Sequence, residues 1–181
     1  VNDVATCVTM DAKSAGHLLI LVGQTTSQMG GSRAAAKWPE AWADRSLPTV
    51  DLEQGPVLAH AVADLIARGC VCSAHDCSDG GLLVAAAEMA FSGHVGLSLD
   101  ADVLQVVGGN SLGEICFSET PSRYLLEVAP DDLASIETHL GDLPWAVVGM
   151  FDKASTLRVS GTDLNIELTE LRDAWLAPLG W

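Results

Sequence analysis

Apolar residues fall into short compact runs and longer periodic stretches, and the two kinds alternate along the chain. His17 to Val22 (HLLILV) is a compact run ended by Gly23 and predicts a buried strand. Gly30-Gly31-Ser32 precedes a short helix over Arg33 to Trp38, and Pro39 to Pro48 reads as an exposed loop. Gly55-Pro56 opens a helix that runs to about Ala67, because proline suits a first helical turn and Gly69 supplies the stop. Val57, Leu58, Ala61, Val62, Leu65 and Ile66 form its apolar stripe. Val71 to Ala74 predicts a short strand, His75 to Gly81 a polar loop, and Leu82 to Phe91 a strongly apolar helix stopped near Gly93.

Val95 to Leu99 alternates as a strand, and Gly108-Gly109-Asn110 is a turn. Ile115 to Phe117 and Tyr124 to Val128 predict further strands, and Pro130 and Asp131 start a helix to about Leu140. Ala146 to Met150, Leu157 to Val159 and Leu164 to Leu168 are late strands, followed by a short helix around Arg172 to Trp175. Strands alternating with helices predict an α/β fold, a three-layer α/β/α sandwich on a mixed sheet. Leu82, Leu83, Ala86, Met89 and Ala90 should be buried against one face of that sheet. No internal repeat or linker divides the 181 residues, so residues 1–181 are expected to form a single domain.

Composition narrows the function. Hydrophobic residues make up 49% and charged residues 18%, which excludes a disordered chain. Twenty-four acidic residues stand against nine basic ones, for a net charge of −15. Such a surface repels nucleic acid and anionic membranes, because affinity for both comes largely from Lys and Arg. It leaves room for a nucleotide carried with Mg²⁺, which bridges carboxylates to phosphates. No apolar run reaches the roughly 18 residues of a membrane span. Val1-Asn2-Asp3 shows no signal peptide, and the expected location is cytoplasmic. The start without Met suggests a piece of a longer chain. Cys7, Cys70, Cys72, Cys77 and Cys116 are odd in number and apolar in setting, so they are read as inert thiols. Trp38, Trp42, Trp145, Trp175 and Trp181 lack basic neighbours and are read as packing residues, not base-stacking platforms.

Candidate chemistry concentrates in Ser73-Ala74-His75-Asp76-Cys77-Ser78-Asp79-Gly80-Gly81-Leu82, where a strand hands over to a helix. In open α/β sheets that edge is where ligands bind. Paired glycines permit close backbone approach, and the helix start beyond them favours phosphate. Asp76 and Asp79 would repel phosphate unless a divalent cation lay between. On local chemistry alone, the simpler reading is a polar turn in which Asp or Ser caps the helix, with His75 a hydrogen-bonded structural histidine. Gly30-Gly31-Ser32 alone reads as a turn. Glu119 reads either as a solvated strand-end carboxylate or as a group reaching the Asp76 end of the sheet. Arg123 reads as a surface arginine, a partner for Glu119 or a contact to another domain.

His75-Asp76-Cys77-Ser78-Asp79-Gly80-Gly81-Leu82 resembles the H-D-x-S-D-G-G-L signature of phosphoribosylformylglycinamidine synthases. Ala87 to Gly96 (AEMAFSGHVG), Met29-Gly30-Gly31-Ser32 and Phe117-Ser118-Glu119 are similar to the same family in the same order. That family shares a superfamily with aminoimidazole ribonucleotide synthetase, selenophosphate synthetase, thiamine-phosphate kinase and a hydrogenase maturation factor. Members pair an N-terminal domain with a C-terminal α/β domain. The synthase carries the pair twice, and this signature marks its second C-terminal domain. The resemblance implies use of ATP, formylglycinamide ribonucleotide and glutamine-derived ammonia: ATP activates the formamide oxygen, and ammonia displaces it to give the amidine.

By the same resemblance, Asp76 contributes to a Mg²⁺ site and Ser78 contacts an auxiliary ATP or ADP that is not consumed. His75, Asp79, Gly80 and Gly81 lie beside that nucleotide. Gly30, Gly31, Ser32, Glu119 and Arg123 become interface or ligand-proximal positions. No catalytic residue is expected in this chain, since the family's proposed catalytic histidine and other Mg²⁺ carboxylates lie in further domains. The expected partners are N-terminal domains of the same synthetase and a separate glutaminase subunit, the arrangement of the family's small form. The isolated domain should expose an apolar patch and self-associate as a homodimer. The competing readings are a structural or auxiliary nucleotide-binding module, and a related superfamily kinase or selenophosphate synthetase.

Overall fold

Alternate residues of the apolar run at 18–22 face two different cores. Leu19 and Leu21 pack on one side of the sheet, Ile20 and Val22 on the other. This is the pattern of a strand buried on both faces. The run forms β1 (Leu18–Val22), and the computed structural model, which describes residues 3–179, adds six more strands. They are β2 (Ser73–Asp76), β3 (Gly96–Leu99), β4 (Tyr124–Val128), β5 (Trp145–Asp152), β6 (Thr156–Val159) and β7 (Asn165–Glu167). The sheet order is β2-β4-β1-β5-β3-β6-β7. β3 and β6 run parallel, while the remaining neighbours run antiparallel, so the sheet is mixed.

Helices α2 (Gln54–Ala67) and α6 (Leu133–Leu140) cover one face through Leu58, Val62, Leu65, Ile136 and Leu140. On the other face lie α3 (Gly81–Gly93), α4 (Ala101–Val106), α5 (Leu112–Phe117) and α7 (Leu168–Leu176). Together they make the three layers expected of the sequence. A short α1 (Arg33–Lys37) sits outside these layers. Helix α3 is the central element of its layer: Leu82, Leu83, Ala86, Met89 and Ala90 are all buried. Burial of each large apolar side chain contributes ~1.5–3 kcal/mol, so α3 is held by packing along most of its circumference.

The structure corrects several local expectations. Ile115 to Phe117 belongs to helix α5, not to a strand. Ser111 accepts from the Glu114 amide at 3.3 Å, and Glu114 reaches back to the Asn110 amide at 2.9 Å. This reciprocal capping needs a Ser-x-x-Glu spacing, and it outweighs the strand preference of a three-residue apolar run. His75 and Asp76 lie in β2, so the polar loop begins only at Cys77. Val57 is 50% exposed and does not join the α2 stripe. Of the tryptophans, Trp42 and Trp145 are half-buried, whereas Trp38 and Trp175 are exposed; Trp181 lies outside the described residues.

Glu127, on β4, is fully buried. Its carboxylate accepts from the amides of Lys13 and Ser14, from the Ser73 hydroxyl at 2.7 Å, and lies 2.8 Å from His17 Nδ1. It thereby fastens the segment before β1 to the sheet. Leu47, Val50 and Leu52 are exposed, and Val50 and Leu52 line an open cleft of about 590 Å³ with Leu58, Thr120 and Ser122. No helix among the described residues is long and apolar enough to cross a membrane.

Candidate functional site at the end of strand β2

β2 is an edge strand, and Asp76 is its last residue. The chain then turns through Cys77, Ser78 and Asp79, and α3 starts at Gly81. Gly80 and Gly81 both have positive φ, at 84° and 73°. At Gly81 the requirement is steric as well, since a Cβ would stand 2.5 Å from the Ser118 carbonyl oxygen. Asp76, Ser78 and Asp79 are exposed on this turn. With Glu119 and residues 121–124 they line an open pocket of about 360 Å³.

The capping reading of this turn does not hold. Gly80 is the N-cap of α3, and no side chain caps the helix there. Instead the Gly80 amide donates to Glu119 Oε1 at 2.8 Å, and the same oxygen accepts from the Arg33 amide at 2.8 Å. Glu119 is therefore a half-buried brace between the starts of α1 and α3, and it follows a helix, not a strand. The Arg33 guanidinium reaches Asp79 Oδ2 at 2.8 Å. Both side chains are exposed, so this pair orients the loop and adds little stability.

Arg123 is not a surface residue: it is 1% exposed. It donates to the Thr120 carbonyl at 3.0 Å, the Thr25 hydroxyl at 2.9 Å and the Ser118 carbonyl, all neutral oxygens. Burial pushes its pKa down, and the neighbouring Cys77 thiol and Glu119 carboxylate counter this in part. Its backbone carbonyl accepts from the Cys77 amide at 3.0 Å. Arg123 thus moulds residues 118–123 against the Cys77–Asp79 turn and places positive charge beneath an acidic pocket.

Asp79 is ion-paired and Glu119 is shared by two amides. Asp76 differs: among the described residues its partner is His75 Nδ1, 3.3 Å from Oδ1. His75 Nε2 in turn lies 2.7 Å from Glu88 Oε2 on α3. Among the described residues no group of three or more His, Cys, Asp or Glu could hold a metal. These residues by themselves make no metal site; a Mg²⁺ here would take one carboxylate from Asp76 and its other ligands from phosphate, water or further protein groups.

Gly30, Gly31 and Ser32 do not enter this pocket. The Gly30 amide donates to the Ser46 carbonyl at 2.9 Å, and Ser32 caps α1 by accepting from the Ala35 amide. Their connection to the site runs through Arg33, the next residue. Arg33, Glu88 and Trp175 were absent from the candidates read in the sequence. Glu88 carried a signal, as a lone charge within the apolar helix 82–91; Arg33 and Trp175 carried none.

The cysteines divide by burial. Desolvation pushes the Cys77 and Cys116 thiols up to about 11, and Cys7 is exposed. At pH 8 a thiol of that pKa is ionised in only about one molecule in a thousand. Alkylation of the folded protein by iodoacetamide should therefore mark Cys7 and spare Cys77 and Cys116 until the chain is unfolded. Peptide mass spectrometry reads this directly, and fast native labelling of Cys77 would contradict its placement.

Residues 14–161 match the family described as AIR synthase related protein, C-terminal domain. The chain belongs to that family. Among curated relatives, it is 32% identical over 187 residues to phosphoribosylformylglycinamidine synthase subunit PurL of Deinococcus radiodurans, covering 98% of this chain and 24% of the relative. It is 35% identical to the PurL of Moorella thermoacetica, covering 88% of this chain and 22% of the relative. The chain thus spans about a quarter of the length of the relatives it matches. Among solved structures, Thermotoga maritima PurL complexed with FGAR superposes with a TM-score of 0.74 at 22% identity, over 93% of this chain and 30% of that one. Escherichia coli HypE gives 0.63 at 13% identity, over 88% of this chain and 51% of that one. These two likenesses concern the fold.

Proposed function

We propose that this chain is the second C-terminal α/β domain of an ATP-dependent synthetase. The synthetase converts formylglycinamide ribonucleotide and glutamine-derived ammonia to formylglycinamidine ribonucleotide in de novo purine biosynthesis. The observation that carries the reading is the identity of 32% and 35% to two PurL relatives over 98% and 88% of this chain, together with the His75 to Leu82 pattern at the β2–α3 junction. The domain would work as one part of a longer cytoplasmic protein that draws ammonia from a separate glutaminase subunit. The exposed Val50 and Leu52 beside the open cleft suit contact with a further domain or, in the isolated chain, with a second copy.

Within that protein the β2–α3 junction serves as half of an auxiliary Mg²⁺–ADP or Mg²⁺–ATP site. Asp76 holds the cation, which Mg²⁺ chemistry favours because the acidic loop accepts phosphate only through it. Ser78 offers its hydroxyl to a phosphate oxygen. His75, Asp79, Gly80 and Gly81 shape the loop, and the remaining carboxylates and the adenine pocket come from other domains. A structural role without turnover is supported by the pocket's make-up: among the described residues, Asp76 is its one carboxylate held neither by an arginine nor by backbone amides.

The test is Asp76→Asn in the full-length protein, followed by nucleotide content after purification, thermal stability and amidine synthesis. Lower nucleotide content and stability with residual synthesis is the expected result. If all three stay unchanged, the loop binds no nucleotide. If synthesis collapses while stability and nucleotide content are normal, Asp76 belongs to the catalytic centre.

A further inference from the structure

A seven-stranded sheet with helices on both faces should hide its central strand on both sides. β5 is that strand, with three strands to either side of it. Yet Met150 of β5 is 48% exposed and belongs to neither core, and Leu18 of β1, its register partner, is also outside both. The cause is the reach of α2 and α6: among the described residues, none from β3, β6 or β7 enters the core beneath them. The register sets Leu18, Met150, Ser98 and Arg158 in one row across β1, β5, β3 and β6. With Val147 they line an open groove of about 470 Å³. A sheet face left to water normally carries polar side chains, whereas this row has two adjacent apolar ones on the central strands.

We propose that this face docks a second copy of the same chain, sheet against sheet about a two-fold axis. Charge and shape both point to that occupant. At −15, two copies repel each other, so they can meet only through a surface whose carboxylates are absent or paired. Each carboxylate lining the groove is held. Asp152 accepts from Arg158 at 2.6 Å and from the Ala154 amide at 2.7 Å. Asp100 accepts from the Asp102 and Val103 amides at the start of α4. An apolar centre inside a rim of matched charges offers nothing to a strongly charged partner. A flat face also matches itself, whereas the concave cleft beside Val50 and Leu52 needs a convex partner. Four strands about 4.8 Å apart, by five residues of about 3.3 Å, give a face of roughly 20 by 16 Å. That is below the ~800 Å² each side of a standard interface buries, so the dimer is weak, with a dissociation constant of about 10–100 µM. The proposal is independent of any ligand at the β2–α3 junction.

Sedimentation equilibrium of the 181-residue chain, which closes both of its cores within itself, provides the test. The expected result is a monomer–dimer equilibrium that tightens about threefold to tenfold as NaCl rises from about 0.02 to about 0.3 M. Salt screens the repulsion between acidic copies and leaves the apolar contact intact. Met150→Asp should weaken the dimer by about a hundredfold, because it sets two carboxylates in the centre of the contact. Met150→Leu should hold the dissociation constant within about twofold. Leu52→Asp, beside the cleft, should leave it unchanged. Circular dichroism and urea midpoints check that Met150→Asp still folds, and the salt response needs no variant. A chain that stays monomeric at millimolar concentration overturns the proposal. So does a dimer that loosens as salt rises, since ion pairs would then hold it. A dimer lost in Leu52→Asp and kept in Met150→Asp moves the contact to the cleft and overturns it equally.

Discussion

Glu127→Ala is expected to destabilise the protein by about 3–5 kcal/mol. Glu127 is 0% exposed, yet every direction around its carboxylate is filled by a donor. The Lys13 and Ser14 amides, the Ser73 hydroxyl and the His17 ring all converge on it. Removing the carboxylate leaves the buried Ser73 hydroxyl and the part-buried donors of Lys13, Ser14 and His17 without an acceptor, and an orphaned buried donor costs ~1–3 kcal/mol. Glu127→Gln keeps one acceptor oxygen but turns an NH₂ toward donors, so a smaller loss is expected. Urea unfolding measures the change. Hydrogen exchange should show Lys13 and Ser14 losing protection first, since their amides lose their acceptor directly. A loss below about 1 kcal/mol would mean that water replaces the carboxylate without penalty, and that the segment before β1 is held by its apolar contacts.

Glu127 also shows what stayed hidden in the sequence. Tyr124 to Val128 reads as a strand, and nothing local marks its one charge as a buried carboxylate. Its partners could not be read, because they lie 54 and more than 100 residues away. The same limit applies to the site. The His75 to Leu82 pattern and its place between strand and helix follow from local spacing. The brace at Glu119 and the burial of Arg123 depend on how residues 118–123 fold back on α3, and no local period encodes that. Helix α5 is the instructive miss. Its Ser-x-x-Glu start was present at Ser111 and Glu114, but three apolar residues, Ile115 to Phe117, suggested strand when read without their cap. The three-layer fold was recoverable because β1 and α3 are compact apolar runs and α2 carries an apolar stripe, and the two helices lie on opposite faces of the sheet that holds β1.

The acidic turn is shaped by backbone more than by charge, and this sets the second large effect. Gly81→Ala is expected to cost about 2–4 kcal/mol, and clearly more than Gly80→Ala, at about 1–2 kcal/mol. Both residues have positive φ, so strain alone would not rank them. Their surroundings do. A Cβ at Gly81 would meet the Ser118 carbonyl oxygen at 2.5 Å and the Cys116 carbonyl oxygen at 2.9 Å. Those are backbone atoms of the α5 end and cannot move aside without displacing Glu119, which braces the Gly80 amide. A Cβ at Gly80 would instead meet the Val84 side chain at 2.6 Å. Trimming that side chain gives relief, so Val84→Ala should recover part of the Gly80→Ala loss and none of the Gly81→Ala loss. Chemical unfolding of the four variants, Gly80→Ala and Gly81→Ala each with and without Val84→Ala, supplies the comparison. Equal costs for the two glycines would show that residues 116–118 yield freely, and that the turn is fixed by Glu119 and Arg33 and not by close packing of α3 on α5.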